Sequence, residues 1–324
     1  MPPAPQNILV IKLGALGDMV FADGVLRALR AHHPHATITL LTSAPYRGLM
    51  AKCPHIDQIG PSGRPRSWRL REVHRLKQAL RQGGFDFVYD LQNSAYSRRQ
   101  NRWLRHVPIN GRSRFCRPRY RRDKSRRVAE AVYLAEQVGL AGIDVGQIPP
   151  ADMRWAAAPV AHILEAQNIP DGFVLLIPGS SPAGARGYRS RDFWRPRRTK
   201  RWPHYAELCR RLNAAGFTCV TAPGPQEAAL CADLPAIALY DDGKFLSFAQ
   251  LAGLAAHAGF VVGNDTGPTH LLAACDTKGL ALFGSYHPFY RTGIEAFYDV
   301  ISVDDLAALP VEQVYERFVK ALDV

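Results

Sequence analysis

The chain has 324 residues, of which 47% are hydrophobic, so it is long enough for one large domain or two domains of ordinary size. It contains no run of 18 or more apolar residues, and its first residues lack the basic and apolar regions of a signal peptide. We therefore expect a cytoplasmic protein without a membrane-spanning helix. The six cysteines are scattered without a CxxC pair, which is typical of reduced thiols and not of a disulfide framework or zinc site.

The net charge of +13 is concentrated in two segments. Residues 98–127 contain 13 Arg or Lys and one acid, and residues 186–201 contain eight Arg or Lys and one acid. The rest of the chain has a net charge of −6. Such segments fit a polyanionic partner: nucleic acid, an anionic membrane surface or a phosphorylated glycolipid. The alternative is a charge run that is only solvated, but so many bases with one acid would repel one another without a partner.

The first half of the chain alternates apolar strands with helices. Residues 7–13 predict a buried strand, Gly14 to Gly17 a turn, and Asp18 to about His33 a helix. Further strands are predicted at 38–41, 56–59 and 85–91, and further helices at 45–52, 69–82 and 128–138. This alternation indicates a parallel sheet with right-handed crossovers.

The turn after the first strand looks like a phosphate loop without its third glycine, and Asp18 stands where phosphate would bind. An acid at the mouth of a glycine turn, at the carboxyl edge of a sheet, is better placed for catalysis than for binding an anion. Its alternative role is that of a charge at a helix N-terminus, which stabilises the helix by only a fraction of a kcal/mol.

Polar residues at the end of the strand at 85–91 lie at the same carboxyl edge of the sheet as Asp18. Asp90 and Gln92 either line a substrate pocket or are ordinary polar loop residues, and the pattern leaves both open. The arginine-rich segment follows, and its first part predicts one broad helix face, whereas residues 111–124 predict a loop. That face contains Arg98, Arg99, Arg102 and Arg105.

A linker rich in Gly, Pro and Ala, residues 141–170, precedes a second alternating series. We expect domains at residues 1–158 and 159–324, with the last helix free to pack back on the first domain. In this half, strands are predicted at 173–177, 219–222, 237–240, 260–262, 280–284 and 299–303, and helices at 159–167, 203–215, 248–257, 269–275 and 311–322. The two halves therefore look like two copies of one architecture.

The second half contains a strand-turn-helix segment suited to an anion. Gly263 and Asn264 end an apolar run, Asp265 and Thr266 are good N-cap residues, and Pro268 suits the first helical turn. The amides and dipole of that helix favour a phosphate, which the absence of a Cβ at Gly267 lets approach closely. The hydroxyls of Ser180 and Ser181, after an earlier strand, also suit a phosphate. The alternative is an ordinary turn that binds nothing.

Four stretches taken together resemble glycosyltransferase family 9, the ADP-heptose:lipopolysaccharide heptosyltransferases and their relatives. The string from Asn264 to His270, Asn-Asp-Thr-Gly-Pro-Thr-His, is followed by Leu280–Gly284, a strand ending in Phe-Gly. Lys12–Asp18 near the N-terminus and Lys200–Pro203 in the middle match in the same order. The resemblance covers nearly the full length of the chain.

The resemblance implies an α/β fold of the GT-B class, with two Rossmann-like domains facing across a cleft. The N-terminal domain would bind the acceptor and the C-terminal domain a nucleotide-sugar. The implied reaction is an inverting glycosyl transfer that needs no metal, with Asp18 as the base. The implied substrates are ADP-heptose and an anionic glycolipid of the lipopolysaccharide core, met at the inner face of the bacterial inner membrane.

The residues that this resemblance assigns to substrates fall into two sets. Donor and diphosphate binding would use Ser180, Ser181, Lys200, Arg201, Glu227, Asp265, Thr266, Gly267, Pro268 and His270. Acceptor binding would use Asp90, Gln92, Arg117, Arg119, Arg121 and Arg122. For His270 a structural histidine is the alternative.

One departure from the family pattern is the lengthened link at residues 182–198, which leaves the identity of the sugar and its nucleotide open. Two other classes of protein stay open as well. One is a nucleic-acid-binding protein on a GT-B-like scaffold, which the arginine clusters favour. The other is a GT-B enzyme of different chemistry, an epimerase or a phosphorylase.

Overall fold

Two separate parallel sheets form the centre of the protein in this computed structural model, which describes residues 5–66, 68–123, 125–180, 200–285 and 288–322. The chain divides into two compact units, residues 1–156 and residues 157–324. The predicted boundary lies two residues further along. Ser181 and the lengthened link at 182–198 are outside the described residues.

The N-terminal sheet has the strand order β3-β2-β1-β4-β5, with every neighbouring pair parallel. Its strands are β1 (Asn7–Ile11), β2 (Thr37–Leu41), β3 (Gln58–Ile59), β4 (Phe87–Asp90) and β5 (Ile109–Asn110). Its helices are α1 (Leu16–His32), α2 (Arg47–Met50), α3 (Leu70–Gln82), α4 (Ala95–Trp103) and α5 (Glu130–Gly139). The predicted parallel sheet is confirmed.

Strand β1 is central because both of its faces are apolar and buried. Ile8 and Val10 point into the cluster with α1 and α5, whereas Leu9 and Ile11 point into the cluster with Leu76 and Leu80 of α3. This follows from the two-residue period of a strand, which sends successive side chains to opposite faces.

The C-terminal sheet has the order β11-β10-β9-β6-β7-β8 and is also parallel. Its strands are β6 (Phe173–Ile177), β7 (Cys219–Thr221), β8 (Ile237–Ala238), β9 (Ala258–Asn264), β10 (Gly279–Gly284) and β11 (Asp299–Val303). Its helices are α6 (Ala161–Ala166), α7 (Tyr205–Ala214), α8 (Ala228–Ala232), α9 (Phe248–Gly253), α10 (Gly267–Ala273) and α11 (Val311–Leu322). Strand β6 lies between β7 and β9 as β1 lies between β2 and β4, so the two halves share one topology.

Helix α11 packs on the C-terminal sheet. Phe318 is fully buried, with its ring 5.0 Å from the ring of Phe217 and 5.1 Å from that of Phe260. Just before the helix, the backbone oxygen of Leu309 accepts a hydrogen bond from the indole nitrogen of Trp202 at 2.9 Å. The apolar face of α11 is thus buried in its own domain, whereas the sequence had left it free to return to the first one.

The arginine-rich segment departs from the prediction at two places. Helix α4 ends at Trp103, before Arg105, because the next apolar residue, Leu104, turns into the core and is fully buried. Strand β5 was not predicted, since a two-residue strand has no alternation to detect. None of the described helices is long and apolar enough to cross a membrane.

Candidate active site

The turn that carries Asp18 follows β1 and requires a glycine. Gly14 has φ +98°, and a Cβ at this position would lie 2.1 Å from the ring of Tyr46. Asp18 is the third residue of α1 and is half-buried, and its Oδ2 accepts a hydrogen bond from the backbone N–H of Ala15 at 3.1 Å. The carboxylate is therefore held at the helix N-terminus and still reaches solvent.

A cavity of about 280 Å³ opens beside this turn. Its lining residues are Leu13, Gly14, Ala15, Ser43, Ala44, Pro45, Tyr46, Ser62 and Arg64. Burial is the main cause that raises the pKa of Tyr46, and the negative charge of the Asp18 carboxylate raises it further. Asp18 therefore interacts electrostatically with a residue that lines the cavity. Tyr46 and Arg64 were not predicted as site residues, because they come from distant parts of the sequence and match no motif.

The ends of β1 and β4 are joined by two hydrogen bonds, one buried and one half-buried. Lys12 is 3% exposed and its Nζ donates to the backbone oxygen of Leu91 at 3.2 Å. The N–H of Leu13 donates to Oε1 of Gln92 at 2.7 Å. Burial lowers the pKa of Lys12, and the nearby Asp18 carboxylate opposes that effect. Gln92 thus holds the strand ends together beside the Asp18 turn.

Asp90 is fully buried at the end of β4. Its Oδ1 accepts from the N–H groups of Gln92 (3.1 Å) and Asn93 (2.9 Å), and its Oδ2 accepts from the side-chain amide of Asn101 at 2.6 Å. Burial raises the pKa of Asp90. These contacts favour the ordinary loop role that the sequence had left open, because a sealed carboxylate does not reach a substrate.

A second cavity, of about 620 Å³, lies in the arginine-rich segment between α4 and the loop that follows β5. Six arginines line it together with Ala95, Ser113 and Phe115, and they are Arg98, Arg99, Arg102, Arg112, Arg114 and Arg119. No acid of the described chain is among the lining residues. Of the four predicted acceptor arginines, only Arg119 reaches this arginine pocket.

The other end of the segment is partly neutralised by α5. Arg122 pairs with Glu130 at 2.7 Å, and its guanidinium lies 3.8 Å from the centre of the Tyr133 ring. Arg126 pairs with Glu136 in the same way. The unbalanced charge is therefore greatest at the arginine pocket, a difference within residues 98–127 that their net charge does not show.

In the C-terminal domain Asn264 joins the predicted motifs. It is fully buried, and its Nδ2 donates to the backbone oxygen of Pro178 at 2.9 Å while its Oδ1 accepts from the N–H of Trp202 at 3.2 Å. One side chain thus holds together the ends of β6 and β9 and the Lys200 segment. The sequence predicted Asn264 only as the end of a strand, since its partners are distant along the chain.

Asp265 connects two predicted donor residues. It is 7% exposed, and its Oδ2 lies 2.5 Å from Nζ of Lys200 while its Oδ1 lies 3.1 Å from Nε2 of His270. Lys200 and His270 are therefore held on either side of one carboxylate. The contact with Asp265 gives His270 a structural role, and a ligand contact stays a prediction.

Helix α10 begins at Gly267, two residues before the predicted start, and its N-cap is Thr266, one of the two predicted N-cap residues. The Thr266 side chain makes no capping hydrogen bond. The hydroxyl of Thr269 donates instead to the backbone oxygen of Asn264 at 2.7 Å. Pro268 has no N–H, so the first turn has one unsatisfied amide fewer. The side chain of Thr269 thus fixes the turn before the helix. The positive end of the helix dipole lies at this turn.

Glu227 and Ser180 lie at the neighbouring turn after β6. A Cβ at Gly179 would lie 1.8 Å from Oε1 of Glu227, so only glycine allows this close approach. The N–H of Gly224 donates to Oε2 of Glu227 at 3.2 Å, and Ser180 is buried. Arg201 is half-buried beside Lys200 in the sequence. The structure thus brings Glu227 to the turn after β6, although the match around it is loose.

Within the part of the chain that is described, no group of three or more His, Cys, Asp or Glu side chains is arranged to hold a metal ion.

The comparisons with known proteins agree with these motifs. The family model of glycosyltransferase family 9 (heptosyltransferase) matches residues 73–317. The chain belongs to glycosyltransferase family 9. It is 25% identical over 313 residues to lipopolysaccharide heptosyltransferase 2 of Escherichia coli (strain K12), covering 87% of this chain and 84% of the relative. It is 26% identical over 318 residues to lipopolysaccharide heptosyltransferase 1 of Pseudomonas aeruginosa, covering 87% and 80%.

Solved structures share the fold. The glycosyl transferase family 9 protein from Veillonella parvula DSM 2008 has a TM-score of 0.79 at 19% identity and covers 98% of this chain and 97% of that chain. E. coli heptosyltransferase WaaC with ADP-2-deoxy-2-fluoro heptose has a TM-score of 0.72 at 18% identity, covering 97% and 99%. These likenesses confirm the predicted pair of GT-B-type parallel-sheet domains. Family membership makes the protein a glycosyltransferase of the heptosyltransferase family of lipopolysaccharide core synthesis, rather than an epimerase or a phosphorylase.

Proposed function

We propose that this protein is an inverting, metal-independent glycosyltransferase that moves heptose from ADP-heptose onto a lipopolysaccharide core or a related glycan. The observation that supports this most is the cluster of Lys200, Asp265 and His270, ordered by Asn264 at the ends of β6 and β9. Open parallel sheets bind ligands at such strand ends. A related enzyme with the same fold, WaaC, has been solved with an ADP-heptose analogue.

Asp18 is the proposed general base. Its carboxylate is half-buried, fixed at the start of α1 and adjacent to a cavity. The acceptor hydroxyl would pass its proton to Asp18 while its oxygen forms a bond to the anomeric carbon. The bond from that carbon to the diphosphate oxygen breaks on the opposite side, so the configuration inverts and ADP leaves.

Lys200 is the proposed partner of the departing diphosphate. Its ammonium group lies 2.5 Å from Oδ2 of Asp265, and a fixed positive charge of this kind suits phosphate oxygens. The negative charge on the leaving oxygen grows in the transition state, so a fixed cation and the N-terminus of α10 stabilise it there most. Arg201, Ser180, Ser181 and the Thr266–Pro268 turn would add contacts to the phosphates, and Glu227 would bind the nucleotide ribose.

The acceptor is proposed to be an anionic glycolipid at the inner face of the inner membrane. Six guanidinium groups around one pocket, with no lining acid among the described residues, suit phosphates or acidic sugars. Changing Arg117, Arg119, Arg121 and Arg122 together to Ser removes one arginine of this pocket, Arg119, and three further cations of the same segment. This variant should bind anionic liposomes more weakly and have a several-fold higher KM for the lipid-linked acceptor, with donor affinity unchanged. Arg122→Ser alone is the control for loss of the Glu130 pair. If the quadruple variant keeps the wild-type KM and liposome binding, this run is only solvated.

The activity is tested with a panel of nucleotide-sugars and a deacylated lipopolysaccharide core as acceptor. We expect ADP-heptose to give product with inverted anomeric configuration, and EDTA to leave the rate unchanged. ADP should raise the Tm, whereas RNA should not. Strict dependence on a divalent cation would contradict the metal-independent mechanism. A product with retained anomeric configuration would contradict the inverting displacement.

A further inference from the structure

A third basic segment lies outside the two that dominate the net charge. Residues 64–82 contain seven Arg or Lys and one acid, a net charge of +6. The basic residues are Arg64, Arg66, Arg69, Arg71, Arg75, Lys77 and Arg81. They are interspersed with apolar residues, so no uninterrupted charge run marks this segment in the sequence.

The start of this segment exposes two large apolar side chains. Trp68 is 71% exposed and Leu70 is 73% exposed, the largest values for large hydrophobic residues in the described part of the chain. The guanidinium of Arg66 lies 5.3 Å from the centre of the Trp68 ring, and Arg69 pairs with Glu72 at 2.7 Å. We call the side chains of Arg66, Trp68, Arg69 and Leu70 the Trp68 tip.

The Trp68 tip is attached to the domain on its N-terminal side by buried contacts. The N–H of Gly63 donates to the backbone oxygen of Thr42 at 2.8 Å, and the oxygen of Gly63 accepts from Nε2 of Gln100 at 2.5 Å. The next residue, Arg64, lies 4.5 Å from the centre of the half-exposed Tyr96 ring. Gly63 and Arg64, which precede the Trp68 tip, are therefore fixed to the domain.

Helix α3 attaches the tip on its other side. Leu76 and Leu80 are buried against the sheet. Leu70 lies on a flank of α3 with His74, Lys77 and Arg81, at helical spacings of four, three and four residues. One exposed apolar residue therefore begins a basic stripe that runs along the helix.

The tip is close to the proposed catalytic turn within the N-terminal domain. Ser62 and Arg64, which precede it, line the same cavity as Gly14 and Ala15 of the Asp18 turn. A surface that brings the tip to a membrane would also bring the mouth of this cavity near the membrane. This location fits an acceptor whose sugar end projects from lipid.

We propose that the Trp68 tip is an interfacial anchor that places Trp68 and Leu70 in the headgroup region of an anionic bilayer. Trp partitions to that region because its ring is apolar and its N–H finds polar partners, and the flanking arginines bind lipid phosphates. Each basic residue near such a surface strengthens binding, but salt screens this electrostatic contribution. The contribution from burying Trp68 and Leu70 persists at high salt. The proposal rests on the proposed function in one respect, that the acceptor is embedded in a membrane.

The test uses the full-length protein and vesicles of phosphatidylglycerol and phosphatidylcholine, at low and high salt. The variant Trp68→Ser/Leu70→Ser should bind roughly tenfold or more weakly than wild type, and it should lose the binding that survives high salt. The control variant Leu140→Ser/Val145→Ser removes two exposed apolar residues of the same domain and should bind as wild type does. Brominated lipids should quench the fluorescence of wild type more than that of the tip variant.

Measurements of turnover with two acceptors test the anchor separately from the proposed function. The tip variant should keep wild-type kcat and KM with a deacylated acceptor, and it should lose activity with the acceptor in vesicles. If no sugar is transferred to either acceptor while the tip still controls vesicle binding, the anchor stands and the enzymatic proposal fails. Vesicle binding by the tip variant equal to wild type would overturn the anchor. So would self-association that depends on Trp68 in a protein that ignores vesicles, because the tip would then be a contact between copies.

Discussion

The two sheets have the same topology around their central strands, β1 and β6, but different side chains lie at the ends of these strands. In the N-terminal sheet the crevice lies between β1 and β4, and in the C-terminal sheet between β6 and β9. Asp90 ends β4 and Asp265 follows β9, so the two carboxylates occupy similar places in the fold. Asp90 is sealed and accepts three hydrogen bonds from its own loop and α4, whereas Asp265 holds Lys200 and His270 at the strand ends.

The comparison shows that a carboxylate at a strand end acquires its role from its partners. In the N-terminal sheet the strand ends are joined by Lys12 and Gln92, which leaves Asp18 at the mouth of its turn for chemistry. In the C-terminal sheet Asn264 joins the ends of β6 and β9, and Asp265 pairs with the Lys200 ammonium group. The first domain would thus provide a base and the second an electrostatic site for a diphosphate.

The largest effect should come from Asp18. Asp18→Asn keeps the size of the side chain and removes the base, so kcat should fall roughly 10²-fold or more while ADP binding and Tm stay near wild type. Steady-state kinetics over a range of pH and ADP titration measure this. Asp144→Asn, at an exposed turn of the same domain, is the control. Turnover close to wild type at any pH would remove Asp18 from the mechanism.

Asp90 should behave as a structural residue. Asp90→Ala leaves the side-chain amide of Asn101, which is buried, and two half-buried backbone N–H groups without their acceptor. We expect a loss of roughly 3 kcal/mol in the free energy of unfolding. Asp90→Asn should cost less, because Asn101 Oδ1 is buried without a hydrogen-bond partner in the described structure and can accept from the new amide. Urea unfolding and activity are measured together. A loss of kcat in Asp90→Asn at unchanged stability would make Asp90 a site residue.

Acid should destabilise the N-terminal domain through His33. Burial lowers the pKa of His33 to about 4, and its Nε2 lies 2.8 Å from the Tyr89 hydroxyl. The unfolded chain binds this proton more readily, so the free energy of unfolding falls as the pH falls from about 6.5 to about 4, by up to about 3 kcal/mol, and levels off below. His33→Gln should flatten this part of the pH profile of urea unfolding. An unchanged slope would show that another group titrates.

A smaller effect is expected from Lys200. Lys200→Ala should weaken ADP binding and lower kcat, each by roughly tenfold, because the cation is worth more as charge develops on the leaving group. Isothermal titration with ADP and steady-state kinetics measure the two quantities. Lys244→Ala, at an exposed turn of the same domain, should change neither. If Lys200→Ala binds ADP as wild type does, Lys200 serves only to neutralise Asp265.

The sequence by itself determined the alternation of strands and helices, the pair of similar halves and the family. Periodicity is a local property, so β11 at Asp299–Val303 and α11 at Val311–Leu322 were predicted with the bounds that the structure has. Strand β5 and the end of α4 were missed, because they depend on what the neighbouring sheet can bury. The motif residues were found because they are contiguous or ordered along the chain.

Only the tertiary structure decided which of those residues lie together and which are sealed. The contact between Lys200 and Asp265 joins residues 65 positions apart, and no local pattern predicts it. In the sequence, Asp90 ends a predicted strand and Asp18 begins the helix after another, yet Asp90 is fully buried and Asp18 is half-buried. The exposure of Trp68 was also hidden, because an apolar residue in a sequence is expected inside until the packing of its neighbours places it outside. Burial and charge pairing depend on distant segments meeting, and that is the part of this protein that the fold alone supplies.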